Sequence, residues 1–168
     1  MTAIIRFPQP SDLVQLTEIY NHYILNTTIT FDIEPFTVER RRKDWFEHYE
    51  NTGRYRLFVA EVEDQVVGYT SSSRFRAKAA YETSVETSIY LHPQFIGNGI
   101  GSLLYERLFR ALATEDVHRA YAGTTLPNSA SIALHQKFGF QSVGVYKEVG
   151  RKFNQYWDVE WFEKSISN

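Results

Sequence analysis

The chain has 168 residues, 18 Lys plus Arg against 20 Asp plus Glu, a net charge of −2 and no cysteine. That length suits one domain, 1–168, with a core large enough to dispense with disulfide staples. The missing thiols exclude a disulfide scaffold, a cysteine nucleophile and a thiolate metal site, and a pI near 6.2 gives no reason to expect nucleic acid or an anionic membrane as partner.

The opening stretch MTAIIRFPQPSD lacks the apolar run of a secretion signal. No later stretch approaches the ~20 apolar residues of a membrane span, so a cytoplasmic protein is expected. Ile4–Phe7 reads as a short edge strand. Ser11 is the expected N-cap of a helix with Leu13, Leu16, Ile19, Tyr20, Tyr23 and Ile24 at helical spacing. A second helix is expected from Thr37, presenting Val38, Trp45, Phe46 and Tyr49. Its run Arg40-Arg41-Arg42-Lys43 spreads over ~300° of a helix, so it reads as a solvated face and not a nucleic-acid stripe.

Residues 57–62 and 66–71 predict two hairpin strands, followed by a basic and aromatic connector, 73–82. In the next strand, 83–91, Val85, Ile89 and Leu91 alternate with Ser84, Glu86, Ser88 and Tyr90. A glycine turn at 97–101 leads into a helix carrying Leu103, Leu104, Leu108, Phe109 and Leu112. A strand at about 119–125, a helix from Asn128 to a C′ glycine at Gly139, and strands near 140–147 and 156–163 complete the chain. Helices between strands, with antiparallel hairpins at both ends, predict an α/β (α+β) class with a mixed sheet. Aromatic residues make up 15% of the chain. Trp45, Phe46, Phe138, Phe140 and Trp161 are expected in the core, and Phe31, Phe75 and Tyr81 beside a ligand.

The turn Ile96-Gly97-Asn98-Gly99-Ile100-Gly101-Ser102 lies between a strand and an amphipathic helix. Glycines at alternate positions remove the Cβ atoms that keep a ligand from the backbone. The N–H groups of the turn and of the first helical residues then make an anion cradle suited to a pyrophosphate. A purely structural turn would use the same glycines. A Walker loop is excluded because Ser102 and Leu103 follow Gly101 with no Lys, and the dinucleotide fingerprint fails on spacing and on position in the chain.

Strand, Gly-x-Gly-x-Gly, helix, strand, and then Asn128-Ser-Ala-Ser-Ile-Ala-Leu-His-Gln-Lys-Phe-Gly-Phe140 together resemble the GCN5-related N-acetyltransferase superfamily. The usual Gln/Arg-x-x-Gly-x-Gly maps onto Ile96, Gly99 and Gly101, so Ile96 departs from the polar residue expected there. Ile19-Tyr-Asn-His-Tyr-Ile24, Thr30-Phe-Asp-Ile-Glu-Pro35, Val85-Glu86, Leu126-Pro-Asn128, Leu134-His135 and Trp157-Asp-Val159 resemble its phosphinothricin and methionine sulfoximine acetyltransferase branch. The resemblance runs from about Ile5 to Trp161.

It implies a central mixed, mostly antiparallel sheet flanked by about four helices, acetyl-CoA as cosubstrate, a small amine acceptor and a homodimer. Glu86 and His135 would be the catalytic pair, with the division of proton transfers between them open. Outside the resemblance, Glu86 reads equally as a solvated strand carboxylate and His135 as a structural helix residue. The cosubstrate would lie along Ile89, Tyr90 and Leu91 as an added strand, on Gly97, Asn98, Gly99, Ile100, Gly101 and Ser102, and against Asn128 and Ser131. Asn128 also suits an N-cap. The acceptor would meet Phe31, Arg76, Lys78, Tyr81, Glu86, Thr87 and Ser88, where a basic loop suits a carboxylate or phosphinate.

Acyl transfer to an amine requires a neutral amine, a polarised thioester, alignment, and a proton for the departing thiolate. Without cysteine, direct attack in a ternary complex is simpler than an acyl-enzyme. Polyamines, antibiotics and protein N-termini are alternative acceptors, and a CoA-binding sensor without catalysis is the alternative of another class. No His, Asp or Glu grouping has metal spacing, so no metal is expected.

Overall fold

The computed structural model describes residues 2–166. In chain order the elements are β1 (Ile4–Arg6), α1 (Leu13–Asn26), α2 (Val38–Asp44), β2 (Leu57–Val62), β3 (Gln65–Arg74), β4 (Ser84–Leu91), α3 (Ile100–Leu112), β5 (Arg119–Thr125), α4 (Ser129–Lys137), β6 (Gln141–Lys152) and β7 (Gln155–Ser165). The strands form one seven-stranded sheet in the order β1-β2-β3-β4-β5-β7-β6. Every neighbouring pair is antiparallel except β4 and β5, which α3 joins as a parallel crossover.

Alternation along the strands separates two apolar layers. Phe58, Ala60 and Val62 of β2 pack with Leu104, Tyr105, Leu108 and Leu112 of α3. Leu57 and Val59 face the other way, onto Leu16, Ile19 and Tyr23 of α1. Leu104, Leu108 and Leu112 are completely buried, each contributing about 2 kcal/mol of transfer free energy.

Several elements differ from expectation. The helical region begins with a 3-10 turn, Pro10–Asp12, ahead of α1. Asp12, not the exposed Ser11, accepts the Gln9 N–H at 2.7 Å. Thr37 does cap α2, accepting from Arg40 N at 3.2 Å. That helix stops after seven residues, where Trp45 leaves helical geometry and its ring turns onto Tyr69, 5.2 Å between centroids. Strand β3 runs on to Arg74, into the expected connector, because its register with β4 holds as far as Arg74↔Val85. Strands β6 and β7 are longer than expected and close on a tight turn in which Phe153 and Asn154 both have positive φ, 52° and 57°.

The basic run of α2 is not a uniform solvated face. Arg40, Arg42 and Lys43 are exposed and paired with Asp44 or Glu39. Arg41, in contrast, is 5% exposed. Among the expected core aromatics, Phe140 is buried, Trp45 and Phe46 are half-buried against the α1 layer, and Phe138 is half-buried against the α3 layer. Trp161 is not core: it is half-buried and lines a cavity.

Candidate active site

Strands β4 and β5 pair only over Ser84–Glu86 and Arg119–Tyr121. Beyond Glu86 the two strands continue but diverge, and the gap is a cavity of 520 Å³. Glu86, Thr87, Ser88, Ile89 and Tyr90 form one wall; Gly123, Thr124, Asn128, Ser131 and His135 form the facing one. The fork therefore brings Ile89 and Tyr90, expected for the cosubstrate, onto the same wall as Glu86, Thr87 and Ser88, expected for the acceptor, and sets Asn128 and Ser131, also expected for the cosubstrate, opposite them.

The backbone of β4 divides in orientation. His92 N–H donates to the Val67 carbonyl at 2.7 Å, and the Ser88 carbonyl accepts from Thr70 Oγ1 at 2.9 Å, both on the β3 side. Period-two alternation turns the N–H and C=O groups of Thr87 and Ile89 and the N–H of Leu91 towards the opening, while the Leu91 carbonyl accepts from the Tyr23 hydroxyl. The expected trio Ile89, Tyr90, Leu91 is thus corrected to its two outer members for backbone pairing. Tyr90 lends the cavity its ring instead.

At the wide end of the fork stands the glycine turn. Gly97 and Gly99 hold φ values of 85° and 78°, and Gly99 is the N-cap of α3. A Cβ on either would meet nothing within 4 Å, so backbone conformation is what requires glycine there. At Gly101 neither conformation nor space requires glycine: a Cβ there would make only ordinary contacts, 3.4 Å from Leu134 and 3.6 Å from Ile89. The N–H groups of Ile100 and Gly101 have no acceptor within the helical ladder and face outward with the positive end of its dipole, while those of Ser102 and Leu103 donate to the Gly99 carbonyl at 3.0 and 3.3 Å. Ile96 is exposed at this mouth. Lys137, which sequence reasoning did not single out, places Nζ 2.7 Å from Ser102 Oγ and brings a cation to the same helix end.

Asn128 caps α4, its Oδ1 accepting from Ser131 N at 3.1 Å. One turn on, His135 is 3% exposed. Its Nδ1 lies 2.7 Å from the Ser131 carbonyl, which can only accept, so Nδ1 carries the proton. Nε2 then accepts from the Tyr105 hydroxyl at 3.0 Å. The imidazole stacks on Phe162 at 5.4 Å and 10°. Burial lowers its pKa, against the opposing effect of the Ser131 carbonyl, so the ring is neutral near pH 7. Tyr105 is fully buried at the cavity wall, and burial pushes its hydroxyl above the usual range. Only a partner with an acceptor nitrogen aimed at it would have revealed Tyr105 beforehand, and that requires the fold.

Glu86 is half-buried on the face of β4 turned to α1 and α2. Desolvation raises its pKa, with the Arg76 guanidinium pulling the other way. Arg76 is therefore within electrostatic reach of the carboxylate, although its guanidinium is exposed, 5.0 Å above the Phe75 ring. Arg76, Lys78 and Tyr81 lie on one exposed loop, and none of the three lines the cavity. Phe75 instead packs flat on Tyr121 at 4.3 Å. Phe31 does line the cavity and lies over Gly150, where a Cβ would come within 2.2 Å of the ring. Thr87 and Ser88 line it as expected. Among the described residues no group of three or more His, Asp or Glu could hold a metal ion.

A family profile described as Acetyltransferase (GNAT) domain matches residues 5–161. The chain is 57% identical over 157 residues to a phosphinothricin N-acetyltransferase of Streptomyces coelicolor, covering 92% of this chain and 91% of that one. It is 33% identical to an L-methionine sulfoximine/L-methionine sulfone acetyltransferase of Salmonella typhimurium, covering 96% and 94%. The crystal structure of a GNAT superfamily phosphinothricin acetyltransferase from Sinorhizobium meliloti, in complex with AcCoA, is similar with a TM-score of 0.93 at 32% identity, covering 99% of this chain and 90% of that one.

Proposed function

The chain belongs to the acetyltransferase (GNAT) domain family, and we propose that it moves the acetyl group of acetyl-CoA onto the α-amine of a small amino-acid-like acceptor. Phosphinothricin, methionine sulfoximine and methionine sulfone, named for its relatives, are the acceptors assigned to it. The observation that carries this reading is the β4–β5 fork, with Glu86 at its vertex and the glycine turn at its mouth.

The chain's residues fit the cosubstrate. The backbone N–H and C=O of Ile89 and the N–H of Leu91 offer an edge for the amide groups of its pantetheine arm; the Leu91 carbonyl already accepts from the Tyr23 hydroxyl. The α3 N-terminus and Lys137 would take its phosphates. When bound, acetyl-CoA supplies the acetyl group as a thioester.

Glu86 takes the proton of the acceptor's ammonium, directly or through water; its raised pKa brings it nearer the working pH of a base. The neutral amine attacks the thioester carbonyl to form the new C–N bond, its nitrogen releases its second proton through water to solvent, and the C–S bond breaks with its electron pair on sulfur. The thiolate receives a proton from the Tyr105–His135 pair on the opposite wall, which solvent restores. His135 is neutral and engaged at both nitrogens, so its role is to hold the Tyr105 hydroxyl in place. Arg76 meets the acceptor's α-carboxylate, and Phe31 walls the pocket.

The full span 1–168 is assigned to one N-acetyltransferase domain, in keeping with the profile match over residues 5–161. A second copy of this chain is the assigned macromolecular partner, supported by β6, an edge strand exposed from Gln141 to Val149 with Val143, Val145 and Tyr146 outward. A cytoplasmic location is the one assigned, in keeping with an acetyl-CoA requirement; among the described residues no helix is long and apolar enough to cross a membrane.

Thiol release from acetyl-CoA, measured over a panel of phosphinothricin, methionine sulfone and spermidine, tests the reading. Turnover of the amino acids and not of spermidine is expected. Turnover of spermidine alone would replace the acceptor class, and tight CoA binding with no turnover would establish a sensor.

A further inference from the structure

A second cavity, of 510 Å³, opens on the α1–α2 face of the sheet and shares Tyr20, Ser88 and Tyr90 with the first. At its wall is Arg41, a guanidinium that is 5% exposed. It lies 4.0 Å above the Tyr20 ring and 3.8 Å above that of Trp45, and one nitrogen donates to Tyr69 Oη at 3.2 Å. Among the described residues no carboxylate stands within ion-pair distance of it, and its buried Nε has no hydrogen-bond acceptor. Asp44, which lines the same cavity, is drawn outward to Arg40 at 3.1 Å. Burial penalises a lone cation, and aromatic faces offset only part of that penalty. Ser71, Ser73 and Ser88 add hydroxyls to the cavity, and Arg74 a further positive charge. The chemistry of this wall is that of an oxyanion receptor whose anion comes from outside the chain.

We propose that Arg41 is a specificity-determining residue that receives a side-chain acid group of the acceptor, a phosphinate or carboxylate. The proposal rests on the acetyltransferase reading above, because it assumes an amine held at Glu86. Ser88 follows Glu86 on the same face of β4, about 6.7 Å along the strand. An amino acid with a two-carbon side chain carries its terminal acid about 5 Å from its nitrogen at ordinary bond lengths. With its amine at Glu86, such an acceptor sends the acid over Ser88 into the second cavity. Arg76 keeps the α-carboxylate and Arg41 takes the distal group, so the two cations divide the two acids of one substrate.

The test compares phosphinothricin, with an anionic distal group, and methionine sulfone, whose distal oxygens are neutral, in wild type, Arg41→Lys and Arg41→Gln. Loss of one charge-assisted contact should raise KM for phosphinothricin about 30-fold in Arg41→Gln. KM for methionine sulfone should change less than about threefold and that for acetyl-CoA not at all. Arg41→Lys should recover part of the phosphinothricin affinity. Equal losses for both acceptors, or none, overturn the proposal.

Because Arg41 also packs between Tyr20 and Trp45, its variants can fail to fold, so a second measurement uses the unmodified protein. Methylphosphinate should inhibit competitively against phosphinothricin and not against acetyl-CoA; competition with acetyl-CoA alone, or no inhibition, overturns the proposal. If no amine turns over at all, the acetyltransferase reading fails. Thermal stabilisation by methylphosphinate, present in wild type and absent in Arg41→Gln, then still decides whether the anion site exists.

Discussion

The Tyr105 hydroxyl stands 3.0 Å from His135 Nε2, and both side chains are almost wholly removed from solvent at the wall of the forked cavity. The hydroxyl belongs to α3 and the imidazole to α4, so the hydrogen bond ties together the two helices that flank the proposed cosubstrate site. Its polarity is fixed by the Ser131 carbonyl, which commits the other ring nitrogen to donating.

Removing the hydroxyl separates its chemical from its structural role. Tyr105→Phe leaves Nε2 without a donor and should cost about 1–3 kcal/mol of stability. It should lower kcat tenfold or more while KM for acetyl-CoA changes little. His135→Ala should lower kcat similarly but with a larger loss of Tm, because it also empties a packed site beside Phe140 and Phe162. Unchanged kcat in both would remove the pair from the chemistry.

Glu86→Gln should reduce kcat by about 10²–10⁴, the range for loss of a general base, with acetyl-CoA affinity retained. The acidic limb of the wild-type pH–rate profile should report Glu86, at a pH above the ordinary glutamate range, since burial raises its pKa. Linkage fixes the accompanying stability effect. A raised folded pKa means that ionised Glu86 opposes folding at neutral pH. The glutamine variant should therefore melt at the same or a higher temperature at pH 7, with the difference fading as pH falls through the Glu86 pKa. A lower Tm at pH 7 would show that the carboxylate has a stabilising partner.

His135 carries the opposite dependence. Its folded pKa is lowered by burial, so the unfolded chain binds the proton more tightly, and stability falls as pH drops below the unfolded value of about 6.5. Urea denaturation at pH 7 and pH 5 should show a smaller pH-dependent loss in His135→Gln than in wild type.

The glycine turn makes a paired prediction. Gly99→Ala forces a side chain onto a left-handed residue, costing about 1–2 kcal/mol, and should raise KM for acetyl-CoA by displacing the first turn of α3. Gly101→Ala meets only ordinary contacts of 3.4 Å or more and should be close to wild type in both. Lys137→Ala should raise KM for acetyl-CoA several-fold, an effect that shrinks with added salt.

The sequence revealed most where periodicity and local chemistry coincide. The glycine turn, the alternation around Glu86 and the Asn128 cap are local patterns, and each stands where expected. Strand ends were less legible, since β3 and β6 extend as far as their partners keep register, which is a property of two segments and not of one. Arg41 was hidden among three similar neighbours: only the stopping of α2 at Trp45 and the rings of Tyr20 and Trp45 decide which of the four basic residues turns inward. Tyr105, which sequence reasoning did not single out, acquired a polar role only when α4 brought His135 to it. Arg76, Lys78 and Tyr81 were grouped by their shared loop, yet only Arg76 comes within electrostatic reach of the carboxylate.

Gly150 leaves open the volume that the Phe31 ring fills, with would-be contacts of 2.2–2.6 Å. The strand carrying Gly150 and the loop carrying Phe31 are far apart in sequence, so one hydrogen atom on one residue sets where the other's ring can rest. Any larger residue at that position must displace the ring, and the pocket would change shape without a substitution at any residue that lines it. Acceptor choice in this chain can therefore be retuned from behind the wall, by a mutation that an inventory of contact residues would overlook.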